Sequence, residues 1–452
     1  MTNYKKSLFL FAIICALILF PGCSGSGSKP NVVLIIIDTL RADKLGAYGF
    51  KSAVVSPELD KFSAEGFTFD RVISQASWTR PSIGSFLTSK YPRSIGLYKE
   101  QWDVLPDDLL TAGEFFSNNG YKTIGVTANP NINRIFGFAQ GFDSYTDSEI
   151  LFRWMGKEEG KKTVKDGRHF EKARIPATDV FGRALEEAKA SKGPLFLQLN
   201  IMEVHGGRIV PDSEVDADLK GLKDSGYLQM VRVASREVGK FVEQFNREVS
   251  DNTLYFIVAD HGEGLSDHPT LRKSEGHGAY LYESTVVVPW IVYSPRIREF
   301  AGKRFPKQVQ LLDLLPTMAE MAGLKPADEF DGVSLAPIIQ GKQADVVLPE
   351  VAQTETMMQS ANKVAVYGKD WKYIENRDGW KWLPPTELQA KGGGEQGAAT
   401  SKLDQQPEEA KGLKGELSAF ESGYSARPAQ VPDEDKLTKG ELDRLRSLGY
   451  IK

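Results

Sequence analysis

Asn31-Val-Val-Leu-Ile-Ile-Ile37 is an unbroken apolar run, dominated by β-branched residues, and it ends directly on Asp38. A strand that alternates apolar and polar residues has one wet face. A continuous run of this kind reads instead as a strand buried on both faces of a parallel sheet. A second such run, Thr253 to Ala259, lies far along the chain and ends on Asp260-His261-Gly262-Glu263. Shorter candidates are Thr123 to Thr127 and Pro194 to Leu199, the latter running into Glu203-Val204-His205. Between them, Leu105 to Asn118 and Tyr227 to Val249 carry helical spacing. Strands alternating with helices predict an α/β fold: a large, doubly wound, mostly parallel sheet flanked by helices. Such sheets place their chemistry beyond the carboxyl ends of the strands, where these polar residues stand.

Working outward, Val364 to Tyr367 and Trp371 to Ile374, separated by Gly-Lys-Asp, predict a hairpin in a smaller C-terminal antiparallel sheet. Residues 384–436 are rich in Gly, Glu, Lys, Gln, Ala and Pro and predict a low-complexity loop. Lys439 to Leu448 predict a closing helix, within a last segment of 437–452. The domain reading is therefore a catalytic body over 31–345, a small-sheet subdomain over 346–383, the loop, and the helix.

The start of the chain reads as a targeting segment. Lys5 and Lys6 precede the apolar run Leu8 to Phe20, which is shorter than the roughly 20 residues a spanning helix needs. Phe20-Pro-Gly-Cys23 and a Gly/Ser tether over 24–30 follow, so 1–23 resembles a bacterial lipoprotein signal with Cys23 as the lipidated residue. An uncleaved anchor is the alternative. Both predict an exported chain attached to a membrane, and the first predicts the bacterial periplasm or outer membrane.

Composition narrows the rest. The chain has 452 residues, a net charge of −4 and a pI near 5.9, and no dense basic stretch, which excludes a nucleic-acid partner. The only cysteines are Cys15 and Cys23, so the folded body holds no disulfide or cysteine metal site. The five histidines are His169, His205, His261, His268 and His277. His261 and His277 sit against glycines, which let another group approach the ring closely, and His205 follows a strand. His169 reads as structural. Asp38 with Asp260 and His261 offers oxygen and imidazole donors suited to one divalent ion such as Mn, Zn, Mg or Ca. In Ser77-Trp-Thr79-Arg80-Pro-Ser82, a hydroxyl precedes a proline at what reads as a helix start, a place that favours anions. Taken alone, that segment is equally a helix cap. With a metal nearby, Thr79 becomes a candidate nucleophile.

Several of these segments, in this order, resemble the sulfatase family within the alkaline-phosphatase superfamily. Val32 to Gly49 is similar to its opening motif, and Ser77 to Pro92 to its nucleophile segment. Ala259-Asp-His-Gly-Glu263, Gly276-His-Gly278 and Leu281-Tyr-Glu283 are similar to its metal and substrate segment. Leu311-Leu-Asp-Leu-Leu-Pro-Thr317, Asp331-Gly-Val-Ser-Leu335 and Leu448-Gly-Tyr450 complete the pattern. The resemblance implies that Asp38, Thr79, Asp260 and His261 surround one divalent ion. It implies that His205 and His277 meet the substrate's anionic group or leaving oxygen, with Arg80, Arg41 and Asn129 as further substrate contacts.

Departures from the pattern shape the expected chemistry. The usual sulfatase has cysteine or serine, converted to formylglycine, where this chain has Thr79, and threonine cannot undergo that conversion. It has arginine at Ile83, a Lys-Trp-His segment at Thr127-Ala-Asn129, and a second aspartate at Thr39. Threonine here resembles the branch acting on phosphate esters. The expected function is a metal-dependent hydrolase of sulfate or phosphate esters, leaning to phosphodiesters. A phospho-group transferase acting on an envelope lipid or glycan is one alternative, and a non-catalytic glycan- or lipid-binding relative is another.

Overall fold

The computed structural model of the chain describes residues 28–97, 103–154, 175–206, 211–265, 267–268, 276–342, 352–356, 361–392 and 399–431. The signal segment, His169 and the helix expected at 439–448 lie outside the described residues. Among these residues no helix is long and apolar enough to cross a membrane.

Strand β1 (Asn31–Ile37) is buried along its whole length. It lies at the centre of an eight-stranded sheet with β2 (Phe67–Ile73), β3 (Lys122–Thr127), β4 (Ser144–Thr146), β5 (Leu195–Ile201), β6 (Thr253–Val258), β7 (Val287–Tyr293) and β8 (Lys303–Gln310). The order is β4-β3-β5-β1-β6-β7-β2-β8. Every pairing is parallel except those of β7, which runs against both β6 and β2. β1 is flanked by β5 and β6, with Ile36 opposite both Asn200 and Val258. That register brings Asp38, the turn after β5 and Asp260 to one edge of the sheet.

Helices cover the two faces. Ser225–Glu248 buries Leu228, Val231, Val238, Val242 and Phe245 on one stripe. The helix expected from Leu105 is shorter than its apolar spacing suggests, spanning Ala112–Asn118. Thr111 starts it with a capping box: its hydroxyl accepts from the Glu114 N–H, while the Glu114 carboxylate accepts from the Thr111 N–H. Leu105 instead pairs its N–H with the Phe136 carbonyl.

The second sheet has four antiparallel strands, β9 (Ala352–Thr356), β10 (Lys363–Tyr367), β11 (Trp371–Asn376) and β12 (Thr386–Ala390), in the order β12-β11-β10-β9. β10 and β11 are the expected hairpin. β12 and the helix Pro407–Gly423 correct the expectation of a loop over 384–436. The correction has a simple cause. Ala410, Leu413 and Leu417 fall at helical spacing and pack with Leu388 on Val364, Val366 and Tyr373. A few apolar residues at the right spacing outweigh a polar average. The helix end also docks on the main body, where Phe420 and Tyr424 meet Tyr91 with ring centroids 4.7 and 4.9 Å away.

Two of the motifs that carry the resemblance, at 311–317 and 331–335, are scaffold. The Asp313 carboxylate accepts from the N–H groups of Val333 and Gln310 (2.9 and 3.0 Å), and Ser89 accepts from Gly332. Together they hold the far end of the helix Thr79–Thr88, whose other end carries the candidate nucleophile.

Candidate active site

Asp38 leaves β1 fully buried, and the next residue, Thr39, has φ of 58°, a left-handed conformation unusual for a β-branched residue. Two contacts hold it there. The Thr39 N–H donates to Asp260 Oδ1 at 3.2 Å, and the Thr39 carbonyl accepts from the Tyr227 hydroxyl at 2.9 Å.

Asp260 follows β6 and is also fully buried. Its backbone carbonyl accepts from the hydroxyls of Ser74 and Ser82, each at 2.6 Å, so the segment after β2 and the helix Thr79–Thr88 both dock on it. Gly262 is required for close packing: a Cβ there would lie 2.1 Å from the Ser284 carbonyl oxygen. The His261 ring has a defined orientation. Its Nδ1 lies 2.9 Å from the Gly262 carbonyl, which can only accept, so Nδ1 carries the proton. Nε2 is then a free lone pair, 3.4 Å from Asp260 Oδ2 and 3.3 Å from Thr79 Oγ1.

One donor atom each from Asp38, Asp260 and His261 fall within 4.8 Å of one another. Asp38 Oδ1, Asp260 Oδ2 and the Thr39 hydroxyl are buried without a hydrogen-bond partner among the described residues. Buried carboxylate oxygens left without donors are costly. Burial pushes the Asp38 carboxyl up, and the neighbouring Asp260 adds to it; burial likewise raises Asp260 to about 6. Burial lowers His261 to about 4, which keeps the imidazole neutral. Two carboxylates, a neutral imidazole and a hydroxyl are a donor set that fits one divalent cation.

The other expected residues divide into two groups. Thr79 begins the helix Thr79–Thr88, and its Oγ1 accepts from Asn129 Nδ2 at 3.3 Å; the same amide nitrogen donates to Asp38 Oδ2. His277 packs at a tilt beside His261, ring centroids 4.5 Å apart, and His205 stands 5.1 Å from His277. These side chains gather with the carboxylates. Arg41 and Arg80 are engaged elsewhere. The Arg41 guanidinium binds Asp43, Asp267 and the Glu263 carbonyl, and the Arg80 guanidinium binds the Asn131 carbonyl and covers the Phe136 ring. Glu203, beside His205, caps the helix Ala177–Ala190 through the Ala177 N–H.

Glu263 is the residue to which sequence reading assigned no role. It is buried, and its carboxylate lies 3.3 Å from His277 Nδ1. Burial opposes both charges, but each stabilises the other more: Glu263 is held down to about 2 and His277 up to about 8. Burial lowers His205, so it stays neutral. The available signal was an acid in the glycine-flanked turn immediately after Asp260-His261.

A mostly parallel sheet carrying buried carboxylates, an imidazole and a hydroxyl at one edge is the framework of a metal-dependent ester hydrolase. The sulfatase family model matches residues 30–324, and the chain belongs to that family. The chain is similar to an arylsulfatase of Clostridium perfringens, 23% identical over 388 residues, covering 70% of this chain and 79% of that protein. It is also similar to human N-acetylgalactosamine-6-sulfatase, 25% identical over 366 residues, covering 72% and 68%. Among solved structures, the phosphonate monoester hydrolase of Agrobacterium radiobacter superposes with a TM-score of 0.69 at 17% identity, covering 88% of this chain and 96% of that one. A putative sulfatase from Bacteroides thetaiotaomicron gives a TM-score of 0.66 at 17% identity, covering 90% and 96%. Members of the family use a divalent metal, and its relatives here are ester hydrolases.

Proposed function

We propose that this chain hydrolyses phosphate esters, phosphodiesters foremost, with Thr79 as nucleophile. The observation that carries the reading is the setting of the Thr79 hydroxyl. It starts a helix, accepts from Asn129, and lies 3.3 Å from the lone pair of His261 beside two buried carboxylates. A helix cap needs none of these neighbours. Threonine also cannot become formylglycine, which removes the usual route to sulfate ester cleavage.

Asp38, Thr79, Asp260 and His261 would hold the cation, which when bound lowers the hydroxyl's pKa and offsets charge developing on the phosphoryl oxygens. Thr79 Oγ loses its proton to solvent and attacks phosphorus, forming a Thr–O–P bond as the ester P–O bond breaks. Asn129 Nδ2 donates to the attacking oxygen. His277, charged through Glu263, gives a proton to the departing oxygen. Water then attacks the same phosphorus, its proton returning to His277, and the Thr79 oxygen leaves and takes a proton back from solvent. Neutral His205 contributes a hydrogen bond to the substrate oxygens.

Export and membrane attachment through Cys23 or the 8–20 run are part of the same proposal, supported by Lys5, Lys6 and the Gly/Ser tether. Hydrolysis of aryl sulfate, aryl phosphate and bis-aryl phosphate, with Mn, Zn or Mg, tests the reading. Diester cleavage that vanishes in Thr79→Ala supports it. Sulfate turnover that survives in Thr79→Ala would sink it, and phosphoryl transfer to an added alcohol in place of water would make the chain a transferase.

A further inference from the structure

Arg80 follows the nucleophile directly and is fully buried, yet no step above uses it. Its Nε donates to the Asn131 carbonyl at 3.0 Å, and Nη2 lies 3.4 Å from Asn131 Oδ1. The guanidinium carbon sits 3.6 Å from the centre of the Phe136 ring. The Asn131 N–H in turn donates to Asn129 Oδ1 at 2.8 Å. That contact decides which end of the Asn129 amide faces the cluster. Flipping the amide would set Oδ1 against Asp38 Oδ2 and Nδ2 against an N–H, two repulsive contacts.

The orientation matters at both neighbours. Asn129 Nδ2 occupies Asp38 Oδ2, which leaves Asp38 Oδ1 as the oxygen without a donor among the described residues, and the same nitrogen reaches Thr79 Oγ1. Asn129 thus selects the carboxylate oxygen left for a cation and fixes a donor beside the hydroxyl. Arg80 clamps the 129–131 turn from its carbonyl side, using the planar fork that lysine lacks, while the Phe136 face holds the guanidinium flat.

We infer that Arg80 is a positioning residue: through the Asn129–Asn131 turn it sets the Asn129 amide, and through that amide the Asp38 and Thr79 oxygens. This rests on the proposed role of the Asp38/Thr79 cluster.

A double-mutant cycle in metal affinity tests it. Isothermal titration with Mn would compare the full chain with Arg80→Met, Asn129→Ala and the double variant, each checked for folding by its thermal melt. Losing a partner that orients a ligand typically costs about tenfold to a hundredfold in affinity. Each single variant should show such a loss, and the double should bind no more weakly than Asn129→Ala alone. Arg80→Met binding as tightly as the wild type, or a double loss equal to the product of the singles, overturns the inference. If Arg80→Met does not fold, Arg80→Lys replaces it in the cycle, since lysine keeps the charge and loses the fork. On a phosphodiester the same variants should lower kcat with little change in KM. If the wild type cleaves no ester, the proposed function fails while the Mn cycle still decides the role of Arg80. A chain that binds none of Mn, Zn, Mg or Ca overturns both.

Discussion

The Glu263 carboxylate lies 3.3 Å from Nδ1 of His277, and the pair holds a positive charge beside His261 that burial alone would remove. His277 is raised to about 8, so its charged form is present below that pH and is lost as pH rises through it. Glu263→Gln should shift the alkaline fall of kcat to lower pH. At pH 8 the loss should approach the 10²–10⁴-fold that general acid catalysis contributes. The pH–rate profile of the two proteins is the measurement, and an unmoved alkaline limb would remove His277 as the acid.

Asp260→Asn should separate stability from metal binding. Asp260 is raised to about 6 because its buried charge is disfavoured without a cation. In chelator the variant should therefore melt no lower than the wild type. With Mn at about a hundred times its dissociation constant, the wild type should gain about 2.7 kcal/mol and the variant little of it. Melting curves with and without Mn decide this; an equal gain in both proteins would mean the cation binds elsewhere.

Asp313 supplies a stability signature away from the site. Burial pushes it up to about 7, well above its unfolded value near 3.9. The stabilisation of its neutral form is therefore complete below about pH 4 and is lost as pH rises through about 7. Asp313→Asn keeps only one of the two acceptors for Val333 and Gln310, so it should be less stable by about 1–3 kcal/mol at pH 5. That gap should narrow toward pH 8. A denaturant series across this range checks it, and a gap independent of pH would rule the titration out.

Leu417→Ala should loosen the helix Pro407–Gly423. Leu417 is 1% exposed in the cluster that joins this helix to the small sheet. Truncating a core leucine costs about 2–5 kcal/mol, here concentrated in one docked element. Faster amide exchange over 407–423, with β1 unchanged, is the expected result. Unaltered exchange would mean the helix is held mainly by its contacts at Tyr91.

Much of this architecture was legible because burial leaves a strong mark on composition. The run at 31–37 could only be a strand covered on both faces, and the polar residues after β1, β5 and β6 fell where a parallel sheet puts its chemistry. The order of the spaced motifs carried the family. What stayed hidden depends on contacts between distant segments. Arg41 and Arg80 looked free to hold an anion, and nothing local revealed Asp267, Asn131 or Phe136 as their partners. Glu263 stood between two glycines just after Asp260-His261, but its partner His277 is fourteen residues away and nothing local revealed the pairing. The polar average of 384–436 concealed Ala410, Leu413 and Leu417, and the capping box at Thr111 overrode an apolar spacing that seemed to start a helix earlier.

The central claim is that Thr79 forms a covalent bond to the phosphoryl group. The most direct measurement is an acid-quenched incubation with a bis-aryl phosphate and Mn, followed by peptide mapping by mass spectrometry. The account predicts a phosphoryl group on the peptide containing Thr79, formed during turnover and absent from Thr79→Ala, which is inactive. Undiminished hydrolysis by Thr79→Ala, or a phosphoryl group carried on another residue, would contradict it.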